Sequence, residues 1–283
     1  MKFLTFKYNN QKSFGAVLND GVVDLGRRHP DITDLRHAIH DDRLNALATE
    51  ATAAVPDYSL NDIVFLPPII NPEKIICIGV NYTNRNAEYK DGSDRPKFPS
   101  VFMRSRESLT GHEQSLMDPP ESNQLDYEGE IAVVIGRPAR GVAPGDAWKH
   151  VGGIVPLNDV TARDLQRKDR QWARAKGFDT FCPVGTPIPP GKCDPLRLEV
   201  ITRVNGQVRQ QACASDMAFP IAYLIAYCSA FTILEEGDVI STGTPEGVGP
   251  LSPGDVVEVE IPGVGTVRNP VVAGTEVPLP RWS

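Results

Sequence analysis

A chain of 283 residues, 41% hydrophobic and 23% charged, is long enough to bury a sizeable core in one large domain, or in a large and a small one. Its formal net charge of −7 argues against nucleic acid or an anionic membrane as partner and suits an enzyme of small molecules. No stretch approaches the ~18 unbroken apolar residues of a membrane span, and the N-terminal MKFLTFKYNNQKSFG lacks a signal peptide's apolar core, so a cytoplasmic location is expected.

Residues 2–8 and 14–24 alternate around an Asn-rich turn and predict a small hairpin. Over 31–54, Leu35, Ile39, Leu44 and Leu47 fall near helical spacing. Pro56, Pro67, Pro68 and Pro72 then punctuate the chain, and a boundary is expected near residue 66 between a small N-terminal α+β domain (1–66) and a catalytic domain (67–283). Lys74 to Gly79 reads as a buried strand, 81–90 as a short helix, and 91–99 as a polar loop expected to order over a ligand. Strands are predicted at 101–103, 130–136 and 154–158, and one helix with a turn over 159–176. A strand at 196–204 runs into Asn205-Gly206, a strong hairpin signal. An apolar helix over 217–234 precedes strands at 237–243, 254–261 and 264–272. The 25 prolines and 24 glycines suit such short elements. The five cysteines are odd in number and form no CxxC pair, which favours reduced thiols over disulfides or structural zinc.

The segment Leu125-Asp126-Tyr127-Glu128-Gly129-Glu130 leads into the β-branched run Ile131-Ala132-Val133-Val134-Ile135. On a strand, i and i+2 share a face, so three carboxylates crowd together at the mouth of a core strand. Such charges repel unless a cation lies between them, and oxygen-only ligands suit Mg²⁺, Mn²⁺ or Ca²⁺. A solvated acidic edge strand is the competing reading. Other motifs fail. The glycine-rich run Gly243 to Gly249 is followed by Pro250 and Pro253 rather than a helix, which disfavours a nucleotide loop. His112-Glu113 lacks the second histidine of a zincin, and no GxSxG elbow is present.

Together with Ile78 to Tyr82, Leu157 to Gln166, Lys176-Gly177-Phe178-Asp179 and Thr242 to Gly249, the acidic strand resembles the fumarylacetoacetate hydrolase superfamily over roughly residues 70–272, in the family's order. The resemblance implies an α+β, β-rich fold: a mixed β-roll catalytic domain with a small N-terminal domain, often dimeric. It implies one divalent metal, Mg²⁺ or Mn²⁺, held by Glu128, Glu130 and Asp159, with Asp126 as a neighbour. It also implies Lys176 as the site lysine, and Arg163, Gln166, Thr244 and Tyr82 near the carboxylate and oxo group of a 2-oxo dicarboxylate.

One departure matters. Many relatives carry a water-activating His and Glu three residues apart just after the Gly-x-Asn-Tyr segment; here the matching residues are Arg85 and Glu88. Arginine stays protonated and cannot be the base. Three readings follow. Glu88 accepts the proton while Arg85 orients it or grips a distal carboxylate; His112 substitutes from another loop; or no water is activated. Arg104 adds a second possible carboxylate grip. The first reading makes the chain a metal-dependent hydrolase of a C–C bond in an acylpyruvate, with fumarylpyruvate or maleylpyruvate from aromatic catabolism as leading substrates. The alternative is an oxaloacetate-type decarboxylase or hydroxymuconate-type isomerase on the same site, and a metal-binding scaffold without catalysis is a third.

Overall fold

The computed structural model describes residues 1–40, 43–82, 97–187 and 194–275. The helix and lid expected after Tyr82, with Arg85 and Glu88, lie outside the described residues. The architecture is β-rich with short helices. Three five-stranded sheets carry it.

The N-terminal sheet is antiparallel, ordered Tyr58–Ser59, Gly21–Asp24, Gln11–Leu18, Lys2–Tyr8, Val64–Leu66. Its first hairpin turns through Asn9 (φ 46°) and Asn10 (φ 66°), side chains that tolerate the left-handed region. The periodic stretch 31–54 forms two helices, Leu35–His40 and Leu44–Thr52.

The central sheet is mixed, ordered Val151–Asn158, Gly129–Ile135, Val239–Ser241, Ile75–Gly79, Ser100–Arg104; only the third and fourth strands pair in parallel. Its three inner strands are buried on both faces, which explains their unbroken apolar runs. Ile131, Val133 and Ile135 face the helix Ile221–Phe231 through Leu224, Ile225 and Cys228. Ala132 and Val134 face the other way, toward Phe3, Phe14, Leu35 and Ile39 of the N-terminal unit. The N-terminal sheet thus ends at Leu66, yet its core is continuous with that of the central sheet.

The third sheet is ordered Gln207–Cys213, Glu199–Val204, Val256–Ile261, Gly265–Ala273, Leu116–Asp118. Asn205 (φ 52°) and Gly206 (φ 76°) make the predicted two-residue turn. The stretch 159–176 holds two short helices, Arg163–Lys168 and Ala173–Lys176, rather than one. Among the described residues no helix is long and apolar enough to cross a membrane. Cys77, Cys182, Cys213 and Cys228 are all free thiols.

Candidate active site

The acidic segment changes sheets as it alternates. Leu125–Tyr127 belongs to a small sheet with Thr161–Ala162 and Gly249–Leu251, whereas Gly129 opens the central strand. Glu128 sits at the crossing. The register pairs Gly129 with Asn158, so Glu128 and Asp159 meet just beyond the ladder, where the Asp159 amide donates to the Glu128 carbonyl at 2.8 Å. One ligand atom from each of Glu128, Glu130 and Asp159 lies within 4.8 Å of the others, and all three residues are buried.

Gly129 is required between the two glutamates. A Cβ there would lie 1.9 Å from Thr202 Oγ1. Its N–H donates to Gln210 Oε1 at 2.9 Å, and its carbonyl accepts from Thr244 Oγ1 at 2.9 Å. Gln210 Nε2 donates back to Thr244 Oγ1 at 2.8 Å and to the Pro245 carbonyl at 2.9 Å. Gln210, itself 1% exposed, therefore clamps the strand that presents both glutamates to the loop that follows Gly243. Asn81 ties the same loop down, donating from Nδ2 to the Thr242 carbonyl at 2.7 Å and to the Phe219 carbonyl at 3.0 Å.

The cations near the triad have defined partners. Arg163 donates from Nε to Asp126 Oδ2 at 2.8 Å and from its terminal nitrogens to Glu128 and Gln166. Lys176, 2% exposed, donates from Nζ to Glu128 Oε2 at 3.0 Å and to Asp159 Oδ2, and lies 4.9 Å from the centre of the Phe102 ring. Arg104 donates to Asp159 and to the carbonyls of Lys176 and Val160. Four buried carboxylates, counting Asp126, thus face three buried cations, Arg104, Arg163 and Lys176. Glu130 accepts from neutral donors, Ser241 Oγ and the Gly243 amide at 2.7 Å. Burial, then the charge of Asp159, pushes its carboxyl up to about 8. A buried, oxygen-only donor set short of one positive charge fits a hard divalent cation.

A cavity of about 260 Å³ opens onto the triad. Lys176, Arg163, Gln166 and Thr244 line it, together with Arg167, Trp172, Phe102, Ile78, Gly79 and Val80. Three expectations need correction. Arg104 lies behind Asp159, not in the cavity wall, and its donors are taken by protein acceptors, so it braces the site rather than gripping substrate. His112 packs edge-on against Phe65 at 4.9 Å and accepts the Arg268 amide at 3.2 Å, away from the cavity, so it is not a substitute base. Burial also lowers its pKa, an effect of its own packing site. Tyr82 lies in the core beside the helix Ile221–Phe231 and outside the cavity wall. Its buried hydroxyl has no hydrogen-bond partner among the described residues. Gln210, Ser241, Trp172 and Arg167 were not anticipated; Arg167 and Ser241 each stand one residue outside a segment the sequence singled out, Leu157 to Gln166 and Thr242 to Gly249.

The family model described as fumarylacetoacetate (FAA) hydrolase, C-terminal, matches residues 74–272. The chain belongs to the fumarylacetoacetate hydrolase family. Among its relatives, the oxaloacetate tautomerase YisK of Bacillus subtilis (strain 168) is 37% identical over 301 residues, covering 96% of this chain and all of that protein. Among solved structures, 5-carboxymethyl-2-hydroxymuconate delta-isomerase from Mycobacterium smegmatis matches with a TM-score of 0.77 at 33% identity, over 97% of this chain and all of the other. Maleylpyruvate hydrolase from Sphingobium sp. SYK-6, in complex with manganese(II) and pyruvate, matches with a TM-score of 0.82 at 29% identity, over 97% of this chain and all of the other. Family members thus include tautomerases, isomerases and hydrolases, and a metal-dependent enzyme of this family is what the triad and the relatives support together.

Proposed function

We propose that the protein is a divalent-metal-dependent tautomerase of 2-oxo dicarboxylates, interconverting the keto and enol forms of an oxaloacetate-type substrate. The observation that carries this reading is Lys176, a buried ammonium donor set against two of the three carboxylates inside the cavity. That is where a 2-oxo oxygen would need a proton. Arg85, which cannot accept a proton, argues against the water-activating pair of the hydrolases. The tautomerase relative, alike over its full length, supports the same preference.

Glu128, Glu130 and Asp159 would hold Mg²⁺ or Mn²⁺, which supplies Lewis-acid polarisation of the 2-oxo group when bound. Tautomerisation moves one proton from C3 to the 2-oxo oxygen and adds or removes no other atom. Lys176 Nζ donates at that oxygen. Glu88, which keeps its sequence position, is the proposed acceptor at C3. Arg163 and Gln166, joined to each other, orient the proximal carboxylate. Trp172 and Phe102, packed edge to face at 5.2 Å, form an apolar wall that keeps water from the exchanging proton.

Stopped-flow decay of the enol form of oxaloacetate tests this. Metal-loaded protein should accelerate it well beyond buffer containing the same metal, with deuterium incorporated at C3. Lys176→Met should lower the rate by roughly 10²–10⁴-fold, as for a lost proton donor. Release of pyruvate from an acylpyruvate, with no enol acceleration, would instead establish C–C hydrolysis, the reading that the structural likeness to maleylpyruvate hydrolase favours.

A further inference from the structure

We propose that Arg167 makes this pocket select dicarboxylates, by taking the carboxylate at the far end of a 2-oxo acid whose oxo end lies at the triad. The inference rests on the 2-oxo acid reading above and names the residue that sets charge specificity within it. Three cations stand closer to the triad, and the groups each one holds keep it at that end of the cavity. Arg104 is turned to Asp159 and two carbonyls, Lys176 bridges Glu128 and Asp159, and Arg163 holds Asp126, Glu128 and Gln166.

Arg167 differs. It lines the same cavity but is exposed, and its one side-chain hydrogen bond among the described residues goes to a neutral acceptor, Gln124 Oε1, at 3.1 Å. No carboxylate pairs with it among the described residues. It stands four residues after Arg163 on the helix Arg163–Lys168. Residues at i and i+4 share a helix face and are offset by about 6 Å along the axis. Three carbon–carbon bonds of ~1.5 Å place the carboxyl carbons of a four-carbon diacid ~4 Å apart, and their oxygens reach further. A diacid anchored beside Arg163 therefore reaches one turn along, to Arg167. Of the cavity's other lining residues, Ile78, Gly79, Val80, Phe102 and Trp172 bring no charged side chain to a carboxylate. A guanidinium fork suits the missing partner, since it binds carboxylates bidentately and keeps its charge.

The test compares oxaloacetate with 2-oxobutyrate, which replaces the distal carboxylate by a methyl group. Both are titrated calorimetrically into Mn²⁺-loaded wild type and into Arg167→Gln, Arg167→Lys, Arg167→Glu and Arg85→Ala. In wild type, oxaloacetate should bind at least tenfold tighter, a preference that shrinks as salt rises. Arg167→Gln should cut the preference by about tenfold, Arg167→Lys should restore part of it, and Arg167→Glu should reverse it. The affinity for 2-oxobutyrate should move far less, which reports an intact site. A preference kept within twofold in Arg167→Gln, or lost only in Arg85→Ala, would overturn the assignment even if oxaloacetate is turned over. Conversely, an Arg167-dependent preference in a protein without enol acceleration would sustain the assignment and defeat the tautomerase reading.

Discussion

Glu130 is the residue on which the charge balance of the pocket turns. Its carboxyl is held by a hydroxyl and an amide, and burial with the neighbouring Asp159 raises it to about 8. The sign of the consequence follows by linkage. A raised carboxyl pKa means that, between the ordinary carboxylate range and about 8, the metal-free native state binds a proton that the unfolded chain has released. Metal-free stability should therefore fall as pH rises through that window. A divalent cation, which needs the carboxylate, should raise the melting temperature more near the top of the window than near its base. In Glu130→Gln both the pH slope and the metal-induced shift should shrink. Melting curves with and without MnCl₂ across the window check this; a slope shared by wild type and variant would place its origin elsewhere. Arg104 calls for a different outcome. Because it backs Asp159 from inside, Arg104→Met removes one of that buried carboxylate's two cations, leaving Lys176, and strips the donor from the Lys176 and Val160 carbonyls, and should cost about 3–5 kcal/mol of stability. A variant of normal stability with only a raised Michaelis constant would return Arg104 to the role of substrate grip. The glutamates of the triad were legible because period-2 spacing states which side chains share a face. Arg104 was misread because an arginine in a strand carries no mark of depth.

Among elements, the strand Gln207–Cys213, QVRQQAC, is a polar sheet edge, and four of its seven residues are exposed. Gln210 is the exception, turned inward to bridge Gly129, Thr244 and Pro245 across 81, 34 and 35 residues of chain. Nothing local signals such a contact, whereas the Asn205-Gly206 turn that sets this hairpin's register was plain, because its constraint is confined to two residues. Gln210→Leu keeps the bulk but removes three hydrogen bonds and leaves the Gly129 N–H without its acceptor. Loss of an outer support of this kind typically costs 10–100-fold in metal affinity. We expect a loss of roughly that size in Mn²⁺ titrations, with the helical content of wild type retained. Affinity within twofold of wild type would show that Gly129 and Thr244 hold the strand unaided.

At the scale of the molecule, composition and charge pointed to a small-molecule enzyme, and the order of motifs pointed to the family, because both are properties of the whole chain. How the N-terminal unit relates to the rest was less legible, since packing between distant segments leaves no local pattern. Ile39, 5% exposed on the helix Leu35–His40, seats on the central sheet where two strands have no side chains; a Cβ on Gly152 would come within 2.5 Å of its Cγ2, and one on Gly136 within 3.2 Å. Around that contact Phe3, Phe14 and Leu35 meet Ile75, Cys77, Ala132, Val134, Val155 and Leu157. One sheet face of the catalytic part is thus covered only when residues 1–66 are present. Ile39→Ala should cost about 2–5 kcal/mol, the range for truncating a buried aliphatic side chain that leaves a cavity. Because the core is continuous, the loss should appear as a single lowered melting transition of the full chain, with loss of metal binding in step. Removing residues 1–66 should leave a broad apolar patch, and the remainder should aggregate on expression. A soluble 67–283 fragment that melts near the wild-type temperature and still binds Mn²⁺ would make the N-terminal unit an independent domain resting on a self-sufficient catalytic one.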